Sequence, residues 1–179
     1  MFHQPFQPAV DDYLAGSIDE REFLEKSRYY HEWRYDYGLY KPIVDFLKEH
    51  NIPLLALNIP GDVSRQVARK GLESLDAGQK APLPDSLDFS NAAYRDELKA
   101  VFYQHGSQTG IENFDYFLQA QILWDESMAE RAARFLETHP NHKLVILAGN
   151  GHLRFGHGIP QRLFRRSGAP HTIILQDEG

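Results

Sequence analysis

The stretch Lys143 to Pro160, KLVILAGNGHLRFGHGIP, constrains the fold more than any other. Five consecutive apolar residues, Leu144 to Ala148, predict a strand buried on both faces, and a glycine-rich loop carrying His152 and His157 follows at once. In an open α/β sheet, ligands sit beyond the carboxyl ends of the strands, which makes this loop the first place to look for function. Gly149, Gly151, Gly156 and Gly158 allow positive φ and close approach of the backbone to a ligand or another chain. Pro160 suits the first turn of a helix running to Arg166. Two readings of His152 stand side by side: it ties a tight turn by bonding to backbone, or it reaches a ligand at the strand end. The loop has no GxGxxG and no Walker lysine, which argues against a nucleotide site.

Pro53 to Asn58 (PLLALN) repeats the arrangement. Gly61-Asp62 turns the chain into a helix over Val63 to Leu75 with Asp62 as its cap, and His171 to Gln176 reads as a last strand. Short connections predict that the strands 53–58 and 143–148 run parallel and bring Asn58 and Gly149 to one edge. The expected class is α/β, a mostly parallel sheet flanked by helices with a smaller helical part, in a single domain over residues 1–179.

The remaining segments read mainly as helices. Ala9 to Ala15 is stopped by Gly16, and Ser17 with Glu20 makes a capping box for a helix through Tyr30. On a helix, Tyr29, Trp33, Tyr37 and Tyr40 share one face, which suits a core or the flat surface of a cofactor. Pro42 opens a helix to Glu49. Residues 76–90 form a loop expected to be a surface excursion or lid. A helix follows with Tyr94, Leu98, Val101, Phe102 and His105 on one face, ended by Gly106.

The helix over Glu112 to Thr138 places Gln121 and Asp125 at the centre of its apolar stripe, while Asp115, Glu126, Glu130 and Arg134 are expected to face away. Gln121 and Asp125 are both expected to be buried and near His152, and a buried carboxylate needs a partner, either His, Arg or a bound cation, with a purely structural salt bridge as the other reading.

A net charge of -6 argues against nucleic-acid binding, although Arg154, Arg162, Arg165 and Arg166 cluster beside the glycine loop. That cluster reads either as a solvated helix face or as a seat for a carboxylate or phosphate. The absence of cysteine removes disulfides, thiolate zinc sites and iron–sulfur clusters. No run approaches the roughly 20 apolar residues of a membrane helix, and no signal-peptide core follows Met1, so this chain by itself is expected to be soluble.

Five segments carry a resemblance: FHQPFQPAVDDYLAG at Phe2 to Gly16, LYKPIVDF at Leu39 to Phe46, LALN at Leu55 to Asn58, AQILWDESMAE at Ala120 to Glu130, and AGNGHLRFGHGIP at Ala148 to Pro160. In this order they resemble the ChaN-like haem-binding lipoproteins. The resemblance implies a haem held in a homodimer interface, with tyrosine on the iron and histidine or lysine near the propionates. It points to Tyr40 as the iron ligand, with Tyr37 second, and to His105, Gln121, Asp125, His152 and Arg154 around the cofactor. It also implies iron or haem acquisition and an exported protein of the cell envelope or outer membrane, lipid-anchored in its full-length form.

Two departures accompany it. Nothing here matches the family's leading strand with its Gly-Glu-x-His motif and the following helix, so the chain is expected to lack that part. Phe155 stands where the glycine loop often carries tyrosine. The alternative is a metal-dependent hydrolase related to the erythromycin esterases and Tiki-type proteases, with Asp125, His105 and His152 as its site.

Overall fold

A computed structural model of the chain describes residues 2–176, with the backbone alone at 105–109. It falls into two compact units, residues 1–61 and 62–179. The predicted α/β class is overturned: the described residues are helical, with no sheet and one isolated parallel bridge, His3 to Asn58.

In the first unit, α1 (Gln7–Leu14), α2 (Glu20–Lys26), α3 (Tyr29–Glu32) and α4 (Lys41–Glu49) enclose an aromatic core. Phe2, Val10, Tyr13, Phe23, Tyr29, Tyr37, Val44 and Ala56 are buried together, with Tyr13 stacked on Phe23 at 4.5 Å between ring centroids. Ser17 does not cap α2. Asp19 does, accepting from Glu22 N, and Arg28 at φ 50° breaks the expected long helix before Tyr30.

Segment 53–58 is extended but has no strand partner beyond the His3 bridge. Its backbone is satisfied by side-chain amides instead. Gln7 donates to Leu54 O and accepts from Ala56 N, and Gln4 donates to Leu57 O. A buried backbone must be paired, and two glutamines supply what a neighbouring strand was expected to supply.

The second unit is built on α7 (Ala92–Thr109), α8 (Phe114–Thr138) and α10 (Ile159–Ser167), with α5 (Gly61–Lys70) opening at the unit boundary and short helices α6 (Ala77–Lys80) and α9 (Asn150–Leu153). Asn91 caps α7 by accepting from Tyr94 N, and Asn113 caps α8 by accepting from Asp115 N and Tyr116 N. Gly106 does not end α7. The helix continues to Gly110, whose φ of 67° stops it. Helix α5 ends earlier than predicted, at Lys70, before Gly71 with φ 78°. Tyr94, Leu98, Leu118 and Ile122 join α7 to α8, and α10 packs along α8.

The expected strands at Lys143 to Ala148 and His171 to Gln176 are extended segments without a ladder. Residues 143–148 alternate in burial, which gives them one half-buried face. The other face is open: Val145 is 83% exposed, and Ile174 of the last segment 84%. A strand buried on both faces is thus excluded, and Asn58 and Gly149 share no sheet edge.

Candidate functional site

The glycine loop folds as α9, a 3-10 turn over Arg154–Gly156, and then α10. Only Gly156 of its four glycines uses positive φ, at 76°. Phe155 before it also lies in the left-handed region, at φ 55°, with its ring exposed. A bulky residue seldom adopts that conformation, so the turn holds it there at a cost. Gly158 matters for a different reason. A Cβ on it would overlap the His152 carbonyl and stand 3.2 Å from Asp125 Oδ2, so the absence of a side chain lets α10 begin against both groups.

Asp125 and His152 meet as predicted. His152 Nδ1 lies 2.7 Å from Asp125 Oδ1, and the aspartate is fully buried. Sequence reasoning missed the third member: Tyr94 donates its hydroxyl to Asp125 Oδ2 at 2.5 Å. Both carboxyl oxygens are therefore occupied. Burial first, and the neighbouring Asp125 second, push the Tyr94 phenol far above its usual pKa, so it remains a donor. A carboxylate only accepts, so Nδ1 of His152 carries the shared proton and Nε2 is the ring nitrogen turned away from Asp125. The His152 side chain is 22% exposed, which leaves its ring reachable. The Trp124 indole stands edge-on to it at 5.7 Å, and Trp124 Nε1 is buried with no hydrogen-bond partner among the described residues.

A second pair sits on the same loop. His157 Nδ1 is 2.9 Å from Glu97 Oε2, both side chains are partly exposed, and the His157 ring is 6.2 Å from that of Tyr94. Its signal in the sequence was weak because Glu97 lies beside the apolar stripe of α7 rather than on it. Gln121, one turn before Asp125, is only half-buried, short of the full burial that its place on the apolar stripe predicted. The two oxygens of Asp125 are engaged by Tyr94 and His152 instead. The His105 side chain lies outside the described residues.

Glu126 reverses its expectation, since it is fully buried rather than facing away. It accepts from Arg165 Nη2 at 2.7 and 2.9 Å and from Arg166 Nη2 at 2.6 Å, and Arg162 Nε is 3.3 Å away. The same arginines grip the 76–90 segment. Arg165 pairs with Asp88 Oδ2, Arg162 donates to Asp88 O, Arg166 donates to Ser86 O, and Glu126 also accepts from Asp88 N. The segment is bolted to α8 and α10, which is not the behaviour of a free lid. Arg162, Arg165 and Arg166 are thus engaged with Glu126 and the 86–88 backbone. The Arg154 guanidinium lies 6.0 Å from the Phe155 ring centroid. Among the described residues, no group of three or more His, Asp or Glu side chains converges to hold a metal ion.

The two tyrosines of the first unit differ. Tyr37 is 2% exposed, packed 5.3 Å from Tyr29 and 6.0 Å from Phe23, and burial drives its phenol well above the usual value. Tyr40 is only half-buried and meets Trp33 edge-on at 6.2 Å. Exposed Tyr30, Tyr35 and Leu39 lie nearby in sequence. Trp33 Nε1, like Trp124 Nε1, is buried without a partner among the described residues.

No helix among the described residues is long and apolar enough to cross a membrane. No curated protein and no solved structure matches the chain. A family model does, the one described as haem-binding uptake, Tiki superfamily, ChaN, over residues 1–163, and the chain therefore belongs to that family of haem-binding uptake proteins.

Proposed function

We propose that this protein binds haem in iron or haem acquisition, as one of two chains sharing the cofactor, with Tyr40 as an axial ligand. The observation that carries the reading is the family match over residues 1–163. The residues present fit the group. A half-buried phenol at Tyr40 stands beside an indole with an unsatisfied N–H, and a partly exposed imidazole at His152 stands beside another. Haem supplies an iron that accepts such donors and two propionates that need cationic or N–H partners. Arg154, exposed next to the glycine loop, is the cation proposed for a propionate. His105 and Gln121 keep the contact roles that the resemblance implies, and Asp125 acts through His152. Tyr37 is the weaker ligand candidate, because an iron there would have to displace its core packing. Export and lipid anchoring of the full-length form complete the proposal by family likeness.

One observation favours a second reading. The Asp125–His152 pair is also the arrangement of an oriented general base, as a hydrolase would need. Haem titration followed by visible spectroscopy separates the two. A Soret shift that saturates, with a ferric phenolate spectrum lost in Tyr40→Phe and an unchanged far-UV spectrum, is the expected result. No Soret change, together with ester hydrolysis abolished in His152→Ala, would transfer the function to the hydrolase.

A further inference from the structure

We propose that Asn150 is a self-modification site, where the side-chain amide cyclises onto the Gly151 backbone nitrogen and the ring then opens to aspartate or isoaspartate. The proposal is independent of the haem reading, because it rests on the covalent chain of the glycine loop and not on a bound group. The chain has six asparagines, and Asn150 alone precedes a glycine. In the first step the Gly151 nitrogen loses its proton and attacks Cγ of Asn150, the amide nitrogen leaves as ammonia, and a succinimide forms. Water then opens the ring at either carbonyl. One opening gives aspartate, and the other gives isoaspartate, in which the main chain runs through the side-chain carbons.

Three features let this proceed in the folded protein. Gly151 is exposed, and nothing lies within 4 Å of the place where its Cβ would stand, so the attacking nitrogen is unshielded. The Gly151 N–H, in the first turn of α9, has no acceptor among the described residues, so no hydrogen bond opposes its deprotonation. Third, α9 is a single turn of four residues, closed by bonds from His152 N to Gly149 O and from Arg154 N to Asn150 O. So short a helix opens locally to the ψ that the attack requires.

The conversion undoes a tether. Asn150 Nδ2 donates to Gln176 O at 3.3 Å, which fastens the last extended segment to the loop. A carboxylate only accepts, so neither product can donate to that carbonyl. Isoaspartate also lengthens the main chain two residues before His152, whose Nδ1 is held by Asp125. Ageing is therefore expected to release residues 171–176 and to disturb the Asp125–His152 contact.

The test is a peptide map of the folded protein kept at mildly alkaline pH, with isoaspartate detected by isoaspartyl methyl transfer. Conversion at Asn150 should be at least about tenfold faster than at exposed Asn141, should accelerate with pH, and should slow about tenfold in Gly151→Ala. Conversion no faster than at Asn141, or as fast in Gly151→Ala, overturns the proposal. So does conversion seen only after denaturation, which would mean that α9 holds the pair in an unreactive geometry. By NMR, the aged protein should show displaced signals for Ile173, Ile174 and the His152 ring. Asn150→Asp carries the charge without the longer main chain, and should displace the isoleucine signals while moving the His152 ring signals less. Equal His152 shifts in the two forms overturn the role given to the lengthened chain. Aged protein with an unchanged spectrum overturns the structural consequence and leaves the modification itself standing.

Discussion

At the scale of single residues, the site depends on close approach as much as on functional groups. Gly158→Ala places a methyl group against the His152 carbonyl, with its carbonyl carbon only 2.9 Å away, and next to Asp125 Oδ2. The backbone has to yield, so the substitution should cost about 1–3 kcal/mol in urea denaturation. It should also shift the His152 ring signals in NMR, which a substitution at the open position Gly149 should not. Asp88 offers a pH signature. The Ser90 hydroxyl first, then the Ser90 backbone N–H and Arg165, hold its carboxyl below the usual range. Its stabilising contribution is then complete above the unfolded value of about 3.9 and disappears as pH falls through the folded one. The stability difference between wild type and Asp88→Asn should therefore be constant from neutral pH to about pH 5 and shrink below about pH 4. A difference that grows on acidification would refute this sign. Asp125 was legible in the sequence because 100° per residue puts it at the centre of an apolar stripe, where a carboxylate needs a partner. Tyr94 was read only as core, since a period reports which face is buried and not what a hydroxyl meets.

Helix α8 is the element on which the second unit turns, and it is buried on two sides. One side carries Asp125, and the other carries Glu126 against the arginines of α10. Periodicity assigned Glu126 to solvent because it registers one apolar stripe and cannot see cations arriving from a later helix. Removing one partner of a buried ion pair leaves the others uncompensated. Glu126→Ala should cost about 3–5 kcal/mol by urea denaturation, whereas Arg165→Ala, at a partly exposed position, should cost about 1 kcal/mol or less. Equal costs would mean that the cluster works as a surface network. The missing sheet follows the same logic. Runs such as PLLALN record a preference for extended backbone, and the preference was met, but a ladder needs a distant partner that local sequence does not specify. Gln4 and Gln7 took the partner's place at 53–58, and their roles are invisible to hydrophobic patterning.

For the whole molecule, the open question is how many chains meet one haem, and thermodynamic linkage answers it without locating the contact. The described surface carries several exposed apolar side chains, among them Leu39, Val145, Leu147, Phe155 and Ile174, although the net charge of -6 opposes casual association. If two chains share the cofactor, haem binds the pair and not the single chain. Affinity then has to rise with protein concentration, and the unfolding temperature of the loaded form has to rise with it, because anything that binds only the assembled native state stabilises that state by mass action. Haem held by one chain gives neither dependence. Sedimentation velocity of the apo and loaded protein should show the mass doubling on loading, and a tenfold dilution should lower the unfolding temperature of the loaded form while leaving the apo form unchanged. A loaded species of monomer mass, with an unfolding temperature independent of dilution, would rule out the shared site. It would still leave Tyr40 to be tested as a ligand within one chain.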